Sequence, residues 1–437
     1  MKKTKLNIPF NEYFLHYIWK TKQIDIRNLM TTDGKKIEIL HFGHHNEDSG
    51  PDFLNAIVKI EDTVWAGNVE IHVLSSDWEK HNHHRDDAYH NVILHVVYYH
   101  DKNIPQIKYP VPCLELQNKI PKILIQRFEN LLKSKKWIPC GDLISSIEKE
   151  VFDIWKHGLI VEKLQQKEPH LRSLLQKFTF DWETCFYILL ARYFGGKVND
   201  SPFESLANRI PIEIIRKNIS DSLAIQAIFF GQAGMLELPL EDQYYLTLKE
   251  MYSFLKQKYN LQPMKNVVWK YSKLRPLNFP TVRIAQFTSL KNLGSSMFSS
   301  LMEVSTIEEM YTILQAKPDD YWNTHYRFGP SSPYINKNIK HDFMNILIIN
   351  AFLPLAFIFA ELYGMNEKKE WIFTILENIH PEKNKIISQW HNLDKTAHSA
   401  LDSQALLHLY NHYCQNNKCL SCKIGHKILC KTTSSPK

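Results

Sequence analysis

The alternation of hydrophobic and polar residues changes its period about a third of the way along the chain. Up to about residue 140, short runs with a period of two predict β-strands, whereas later runs with a period of 3.6 predict helices. The pattern therefore predicts an α/β (α+β) domain with a mixed sheet at residues 1–140, followed by a mostly α-helical domain at residues 141–413. A cysteine-rich segment, residues 414–437, forms the remaining part.

The predicted first domain is organised around a β-hairpin. Residues 53–60 and 64–73 both have the pattern of strands, and a tight turn joins them. In the second strand Glu70 and His72 share a face, because side chains on a strand alternate with a period of two. The turn brings Asp52 opposite these two residues. Two carboxylates and an imidazole are thus expected at the mouth of the hairpin, and such a polar group on a sheet indicates a binding site.

Further elements are predicted on both sides of the hairpin. They are a helix at 9–20, strands at 36–42, 91–99 and 111–116, and a helix at 121–133. Glu12 lies in the first turn of the first helix, where a carboxylate interacts favourably with the helix dipole. A surface residue that stabilises the helix dipole is therefore one interpretation of Glu12.

Two resemblances are carried by short motifs. Pro51-Asp52 followed by Glu70-Ile71-His72 resembles the motif of the PD-(D/E)xK nuclease superfamily. This resemblance implies a restriction-endonuclease-like fold and metal-dependent hydrolysis of phosphodiester bonds, with Asp52, Glu70 and Glu12 at the metal. His72 stands where the superfamily usually has lysine. The stretches FLHYIWK, GNVEIH and NFPTVRIAQ, with the cysteine-rich tail, resemble an uncharacterised bacterial family of unknown function, which implies no activity.

Asp52 and Glu70 are the residues expected to bind a metal ion. Carboxylate oxygens are preferred ligands of Mg²⁺ or Mn²⁺, which would polarise a phosphate group and lower the pKa of an attacking water. His72 is expected to position that water, to act as general base, or to bind a softer ion such as Zn²⁺. The alternative is structural: Asp52 caps the turn that precedes it, and Glu70 pairs with a neighbouring cation.

Histidines are concentrated around the predicted hairpin. Ten of the 21 histidines lie between His41 and His100. Because histidine is the commonest metal ligand, His81 and His83, in a polar loop after the hairpin, are candidate ligands placed near the carboxylates. A solvated, histidine-rich loop is the alternative. His95 lies inside an apolar strand and is expected to be a hydrogen-bonded core residue.

A second feature is a long run without acidic side chains. Residues 251–302, the basic stretch, contain no Asp or Glu and eight Lys or Arg residues, while the formal net charge of the chain is +7. The excess positive charge is therefore confined to this stretch. The residues expected to contact phosphates and stack on bases are Lys270, Lys273, Arg275, Arg283 and Trp269. A solvated basic surface without a ligand is the alternative.

Four cysteines are crowded near the end of the chain, in the spacing Cys-x4-Cys-x2-Cys-x7-Cys. They are Cys414, Cys419, Cys422 and Cys430. Four thiolates suit a structural Zn²⁺ or a [4Fe–4S] cluster. The spacing is similar to the cluster loops of some DNA-repair glycosylases and iron–sulfur nucleases. His412 or His426 are alternatives to Cys430 as the fourth ligand, and free thiols are a further alternative.

Seven cysteines, an odd number, argue against a disulfide framework. Cys113, Cys140 and Cys185 lie in apolar surroundings and are expected to be buried, inert thiols.

Hydrophobic residues make up 44% of the chain and charged residues 23%, as in soluble globular proteins. No apolar run of signal-peptide length follows the basic start. Residues 343–360 are apolar enough for a membrane span but contain polar residues and proline, so a buried helix pair is predicted.

The sequence therefore favours a cytoplasmic, metal-dependent nuclease that acts on DNA or RNA and has no membrane partner. Two other functions stay open. A non-catalytic nucleic-acid-binding or assembly protein would use the basic stretch and the cysteines, and a zinc-dependent small-molecule hydrolase would use the histidines. The sequence indicates no oligomeric state.

Overall fold

The computed structural model describes residues 8–104, 110–265 and 267–430. The chain divides into two compact units. The first consists of Met1–Trp155, Asn392–Lys395 and Leu407–Lys437, and the second of Lys156–His391 and Thr396–Leu406. The cysteine-rich segment therefore belongs to the same unit as the predicted hairpin. As predicted, a mixed sheet near the N-terminus is followed by a mostly helical remainder.

The first unit contains one seven-stranded sheet. Its strands are β1 (Leu29–Met30), β2 (Lys36–His41), β3 (His44–His45), β4 (Phe53–Ile60), β5 (Thr63–Leu74), β6 (Val92–Tyr99) and β7 (Cys113–Glu115). The order is β1-β2-β4-β5-β6-β7, with β3 also paired to β4. Pairing is antiparallel from β1 to β5 and parallel for β5-β6 and β6-β7, which makes the sheet mixed.

The β4-β5 hairpin has the register that the alternation predicts. Ile60 pairs with Thr63 across the turn, and Phe53 pairs with Val69 at the other end. The face of β5 that the sequence predicts to be polar is buried, because Glu70 is only 4% exposed and His72 only 1%. The helix Glu12–Lys20 contacts β5, and Trp78 of the loop that follows β5 packs against His72, so this end of the strand is covered.

Two helices pack together in the first unit. Helix α1 (Glu12–Lys20), which the sequence predicts, contacts β5 and buries its apolar residues. Its Phe14 ring stacks on Phe128 of α3 (Lys122–Lys133), with ring centroids 4.7 Å apart. Between β5 and β6 lies a loop that contains the short helix α2 (Asp77–Lys80) and two 3₁₀ turns, His83–Arg85 and Asp87–Tyr89. Trp78, fully buried against Tyr89, anchors this loop.

The second unit is built from helices. They are α4 (Lys149–Lys177, which begins in the first unit), α5 (Trp182–Phe194), α6 (Gly196–Arg209), α7 (Ile212–Lys217), α8 (Ser222–Gln232), α9 (Gln243–Lys258), α10 (Pro280–Thr288), α11 (Met297–Glu303), α12 (Ile307–Ile313), α13 (Asp320–Asn323), α14 (His341–Leu347), α15 (Leu353–Leu362), α16 (Asn366–Asn378), α17 (Lys385–His391) and α18 (Ala400–His408). Helix α19 (Lys423–Cys430) lies in the first unit.

The most apolar segment of the second unit is one continuous helix. Helices α14 and α15 are joined by a π-helical turn, Ile348–Phe352, so the predicted helix pair is a single helix from His341 to Leu362. Its length and composition would allow it to cross a membrane, but 67% of its most apolar window is buried inside the structure. This burial is typical of the core helix of a soluble protein.

Candidate metal centre

Asp52 and Glu70 are held together by reciprocal hydrogen bonds between neighbouring strands. The backbone N–H of Asp52 donates to Oε2 of Glu70 at 3.1 Å, and the backbone N–H of Ile71 donates to Oδ2 of Asp52 at 2.8 Å. One oxygen of each carboxylate is thereby fixed by the backbone of the other strand. The sequence placed these two side chains together at the mouth of the hairpin, and the structure has them there.

Helix α1 adds His16, which sequence reasoning missed. Its Nε2 lies 3.2 Å from Oδ2 of Asp52. Burial, the largest contribution, lowers the pKa of His16, but the hydrogen bond and charge of Asp52 and the charge of Glu12 outweigh it, so the pKa is raised. Glu12 and His16 are four residues apart on one helix and therefore share a face. This four-residue spacing is the sequence signal from which His16 could have been predicted as part of the site.

Glu12 is half-buried on the same side of α1. The pKa of Glu12 is raised, and burial is the main cause. The charge of Asp52 acts in the same direction, whereas the nearby imidazoles of His81 and His16 act against it. The electrostatic interaction of Glu12 with these groups places it at the edge of the hairpin site. The charge of Glu12 also contributes to the raised pKa of Glu70.

Two imidazoles lie beside the second carboxylate oxygen of Glu70, and a third imidazole lies beside one of them. Oε1 of Glu70 is 3.0 Å from Nε2 of His83 and 3.6 Å from Nε2 of His72. Nε2 of His72 is also 3.1 Å from Nδ1 of His81. One nitrogen from each of the three histidines lies within 4.8 Å of the others. His72 and His83 are buried, whereas His81 is exposed and gives the cluster an opening to solvent.

His95 fixes the orientation of His72. Nε2 of His95, on β6, lies 2.9 Å from Nδ1 of His72, and His95 is completely buried. When His72 donates from Nδ1, its Nε2 lone pair is directed at the cluster. The sequence predicted a hydrogen-bonded core histidine at this position, but not that its partner would be His72, because that contact crosses two parallel strands.

The unusual pKa values have one main cause, which is burial. Burial, followed by the charge of Asp52, raises the pKa of Glu70 to about 9. Burial and the neighbouring imidazoles lower the pKa of His72 well below its ordinary range and that of His95 to about 3, and burial also lowers that of His83. At neutral pH without a cation, Glu70 is therefore protonated and these imidazoles are neutral.

The donor set fits a divalent transition metal. Nε2 of His83 lies close to Glu70 but is buried without a hydrogen bond of suitable geometry among the described residues. Neutral imidazoles with an available lone pair are the ligands that zinc, manganese and related ions use, and a bound cation would restore the carboxylate form of Glu70. Three imidazoles with one carboxylate are less suited to Mg²⁺, which prefers oxygen.

The residues predicted to bind nucleic acid have different environments. The side chains of Lys270, Lys273 and Arg275 are exposed. Trp269 is only half-buried, but its indole N–H donates to the carbonyl of Ala233 at 2.9 Å. The two lysines and Arg275 are therefore available to a ligand, whereas the indole N–H of Trp269 has a structural partner.

Arg283 differs from the exposed cations of the basic stretch. Its guanidinium lies 3.7 Å from the centroid of the Phe343 ring and donates to the side chains of Gln286 and Asn278. Burial lowers its pKa to about 10. Tyr252, another aromatic residue of this stretch, is buried and bonded to Gln232. Arg283 and Tyr252 therefore contribute to packing. Counting the charges and aromatic residues of the sequence does not distinguish such residues from those that bind a ligand.

Cys430 of the cysteine-rich segment lies beside Tyr17 and His426. Its Sγ is 3.5 Å from the Tyr17 hydroxyl and 3.7 Å from Nδ1 of His426, and the hydroxyl is 2.8 Å from the same nitrogen. This small group is part of the packing between α19 and α1. His426, an alternative fourth ligand in the sequence prediction, is therefore engaged with Tyr17.

Comparison with known proteins gives one family. The family model described as "Protein of unknown function (DUF2851)" matches residues 12–385, which include the whole hairpin and the histidine cluster. The match agrees with the resemblance to an uncharacterised family. No curated protein and no solved structure matches the chain.

Proposed function

Since the chain belongs to the DUF2851 family, whose function is unknown, we propose from the site alone that it is a metal-dependent hydrolase of phosphodiester bonds in nucleic acid. One observation carries the proposal. His72, His81 and His83 each place one ring nitrogen within 4.8 Å of the others, and Glu70, which is bonded to Asp52 on the neighbouring strand, contacts two of them, His72 and His83. Asp52 and Glu70 of this hairpin are also the residues on which the resemblance to the nuclease superfamily rests.

The proposed metal ligands are Glu70 through Oε1 and the three histidines. A bound Mn²⁺ or Zn²⁺ would supply Lewis acidity toward a phosphate oxygen and toward water. Asp52 keeps Glu70 in place through its backbone N–H, and its own carboxylate adds negative charge beside the cation site. His95 holds His72 as the neutral tautomer whose Nε2 faces the site.

His16 takes over the cationic role that His72 cannot perform. The superfamily usually has lysine at the position of His72, but His72 is buried and its pKa is lowered, so it stays neutral. The pKa of His16 is raised beside Asp52, and its side chain is 17% exposed. We therefore assign to His16 the positive charge near the phosphate and a proton at Nε2 for the leaving oxygen.

Exposed cations of the basic stretch support nucleic acid as the substrate. Lys270, Lys273 and Arg275 lie in a segment of the second unit that contains no acidic residue. Each such cation that neutralises a phosphate releases counterions and so contributes to binding of any sequence. The segment supplies affinity for the polyanion in this proposal, and the first unit supplies the chemistry.

The test is a Glu70→Gln variant of the full chain. We expect it to lose cleavage of labelled DNA or RNA in Mn²⁺ or Zn²⁺ by at least about 100-fold, because it removes an anionic metal ligand while conserving shape. Glu38→Gln, at an exposed position of β2, is the matched control and should cleave as the wild type does.

The other outcomes discriminate between the functions that the sequence left open. Wild-type protein that binds metal at the histidines and binds nucleic acid, but never cleaves it, would support the non-catalytic protein. Metal-dependent hydrolysis of small phosphate or ester substrates without affinity for nucleic acid would support the small-molecule hydrolase. Wild-type activity in Glu70→Gln would exclude this site as the catalytic centre.

A further inference from the structure

Two lysines on one face of helix α4 line the same small cavity in the second unit. Lys163 and Lys167 are four residues apart, so their side chains leave the helix on the same side. The rest of the lining consists of five aliphatic side chains and one amide, which are Ile160, Leu164, Ile349, Leu353, Leu376 and Gln404. Two amines therefore share one largely apolar space.

The hydrogen-bond partners of these two amines are neutral. Nζ of Lys167 lies 3.2 Å from both the carbonyl and the side-chain oxygen of Asn350, and 3.4 Å from the hydroxyl of Tyr193. Nζ of Lys163 donates to the side-chain oxygen of Gln404. All of these acceptors are uncharged, so none of them offsets the charge of an ammonium group.

A third lysine of the same helix shows the contrast. Nζ of Lys156 lies 2.5 Å from Oδ1 of Asp402, so a carboxylate offsets its charge. In the part of the chain that the structure describes, Lys163 and Lys167 have no ion pair of this kind. Two ammonium groups in one cavity would repel each other at short range and lose hydration at the same time. The cavity is therefore suited to one cation and one uncharged amine.

The charges around the cavity favour an uncharged Lys167. Burial, followed by the positive charges of Lys163 and Arg192, lowers the pKa of Lys167 to about 7. Burial also lowers the pKa of Lys163, to about 8, although the negative charge of Glu382 acts against this. As the pH rises, Lys167 therefore loses its proton before Lys163 does. An uncharged amine is a nucleophile, whereas an ammonium group is not.

The cavity has room for only a very small molecule. It leaves about 10 Å³ for the centre of a water-sized molecule and is partly open to solvent. A small hydrated anion would have to lose its water against the aliphatic side chains, which costs free energy. Carbon dioxide is uncharged and triatomic, so it loses little hydration on entering an apolar space, and it reacts with uncharged amines.

We propose that Lys167 reversibly forms a carbamate with carbon dioxide. The lone pair of Nζ attacks the carbon atom, a C–N bond forms, and one C=O electron pair moves onto oxygen. One proton then passes from Nζ to solvent, so that the product is –NH–COO⁻ and no oxidant or reductant takes part. The ammonium group of Lys163, about one helical turn away, offsets the new negative charge. Two groups of like charge are thereby replaced by a pair of opposite charges.

The modification would strengthen a contact between two long helices. Nζ of the carbamate retains one proton, which can be donated to an oxygen of Asn350 as in the unmodified amine. Asn350 lies in the π-helical turn Ile348–Phe352, so the carbamate would link α4 to the helix from His341 to Leu362. This role does not depend on the candidate metal centre, which lies in the first unit.

The test is ¹³C NMR of the full chain, equilibrated with ¹³C-labelled bicarbonate at neutral pH. We expect a carbamate signal that disappears in Lys167→Met and when the pH is lowered, because protonation blocks the nucleophile. Lys177→Met, at the exposed end of α4, is the matched control and should keep the signal. In Lys163→Met the affinity for carbon dioxide should fall by at least about tenfold, since the carbamate loses its cationic partner. A spectrum that is the same in wild type and Lys167→Met would overturn the proposal.

A measurement on the wild type avoids variants that fail to fold. A trialkyloxonium salt converts a carbamate into a stable ester, which peptide mass spectrometry then locates. We expect the ester on Lys167 after equilibration with bicarbonate, and no ester there after the protein is kept in buffer freed of carbon dioxide. Ester found only on other amines, in protein with a native circular dichroism spectrum, would overturn the proposal.

Discussion

At the scale of single residues, the histidines of the candidate metal centre differ in burial and in their neighbours, and these differences set their pKa values. His72 and His95 are buried and share a hydrogen bond, whereas His81 is exposed. Burial disfavours the charged imidazole, so the buried pair is suited to metal binding and its support. His16 beside Asp52 has the opposite shift and is suited to carry a proton.

Replacing His95 should weaken metal binding although His95 is not itself a proposed metal ligand. His95→Leu leaves Nδ1 of buried His72 unpaired and frees the ring to turn, so we expect metal affinity to fall by roughly 10–100-fold. Unfolding free energy should fall by about 1–3 kcal/mol. Isothermal titration with Zn²⁺ or Mn²⁺ and denaturant melts measure both. His90→Gln, on the surface, is the control, and unchanged affinity in His95→Leu would exclude the supporting role.

At the scale of elements, the hairpin and the first helix were predictable because their signals are local. The alternation from Phe53 to Ile60 and the turn after it set the register, and a shift of one residue would reverse the faces of the strand. Full burial of Glu70 and His72 was not predictable from β5, because it depends on β6 and on the loop that contains Trp78.

Helix α4 contains a half-buried lysine, Lys167, that makes the stability of the protein depend on pH. Nζ of Lys167 lies 3.2 Å from both the carbonyl and the side-chain oxygen of Asn350, in the π-helical turn, and Lys167 lines a small cavity. Burial lowers its pKa from 10.5 to about 7. Between pH 7 and about 10 the unfolded chain then binds more protons than the folded chain, so stability should rise with pH in that window.

Lys167→Met should reduce this rise and stabilise the protein below pH 7, where the buried amine is charged. We expect a gain on the order of 1 kcal/mol at pH 6, after loss of the bonds to Asn350. Lys163, whose pKa burial lowers to about 8, should retain a smaller slope. Thermal melts from pH 6 to 10 test this. Lys177→Met, at the exposed end of α4, should leave the profile unchanged, and an unaltered profile in Lys167→Met would refute the assignment.

At the scale of the whole molecule, the candidate metal centre and the basic stretch belong to different compact units. The histidine cluster lies in the first unit and the basic stretch in the second. Binding and cleavage of nucleic acid should therefore be separable by substitution. The cytoplasmic location and the absence of a membrane partner stay predictions from the sequence.

Charge reversal in the basic stretch should weaken binding and reduce its dependence on salt. For Lys270→Glu with Arg275→Glu we expect at least about tenfold weaker binding of a labelled oligonucleotide, and a log K against log salt slope that is smaller by about 1.4–1.8. Metal content should stay unchanged. Lys35→Glu with Lys36→Glu, exposed in the first unit, changes the net charge equally and should have a smaller effect. Equal effects of the two pairs would indicate non-specific attraction.

The sequence by itself determined the change from strands to helices along the chain and the juxtaposition of Asp52 with Glu70, because period, turn and register act over a few residues. Only the tertiary structure decided that His95 supports His72 and that Arg283 packs on Phe343. Each of these contacts joins positions far apart in the chain. Their formation depends on how helices and strands pack, and no local pattern records it.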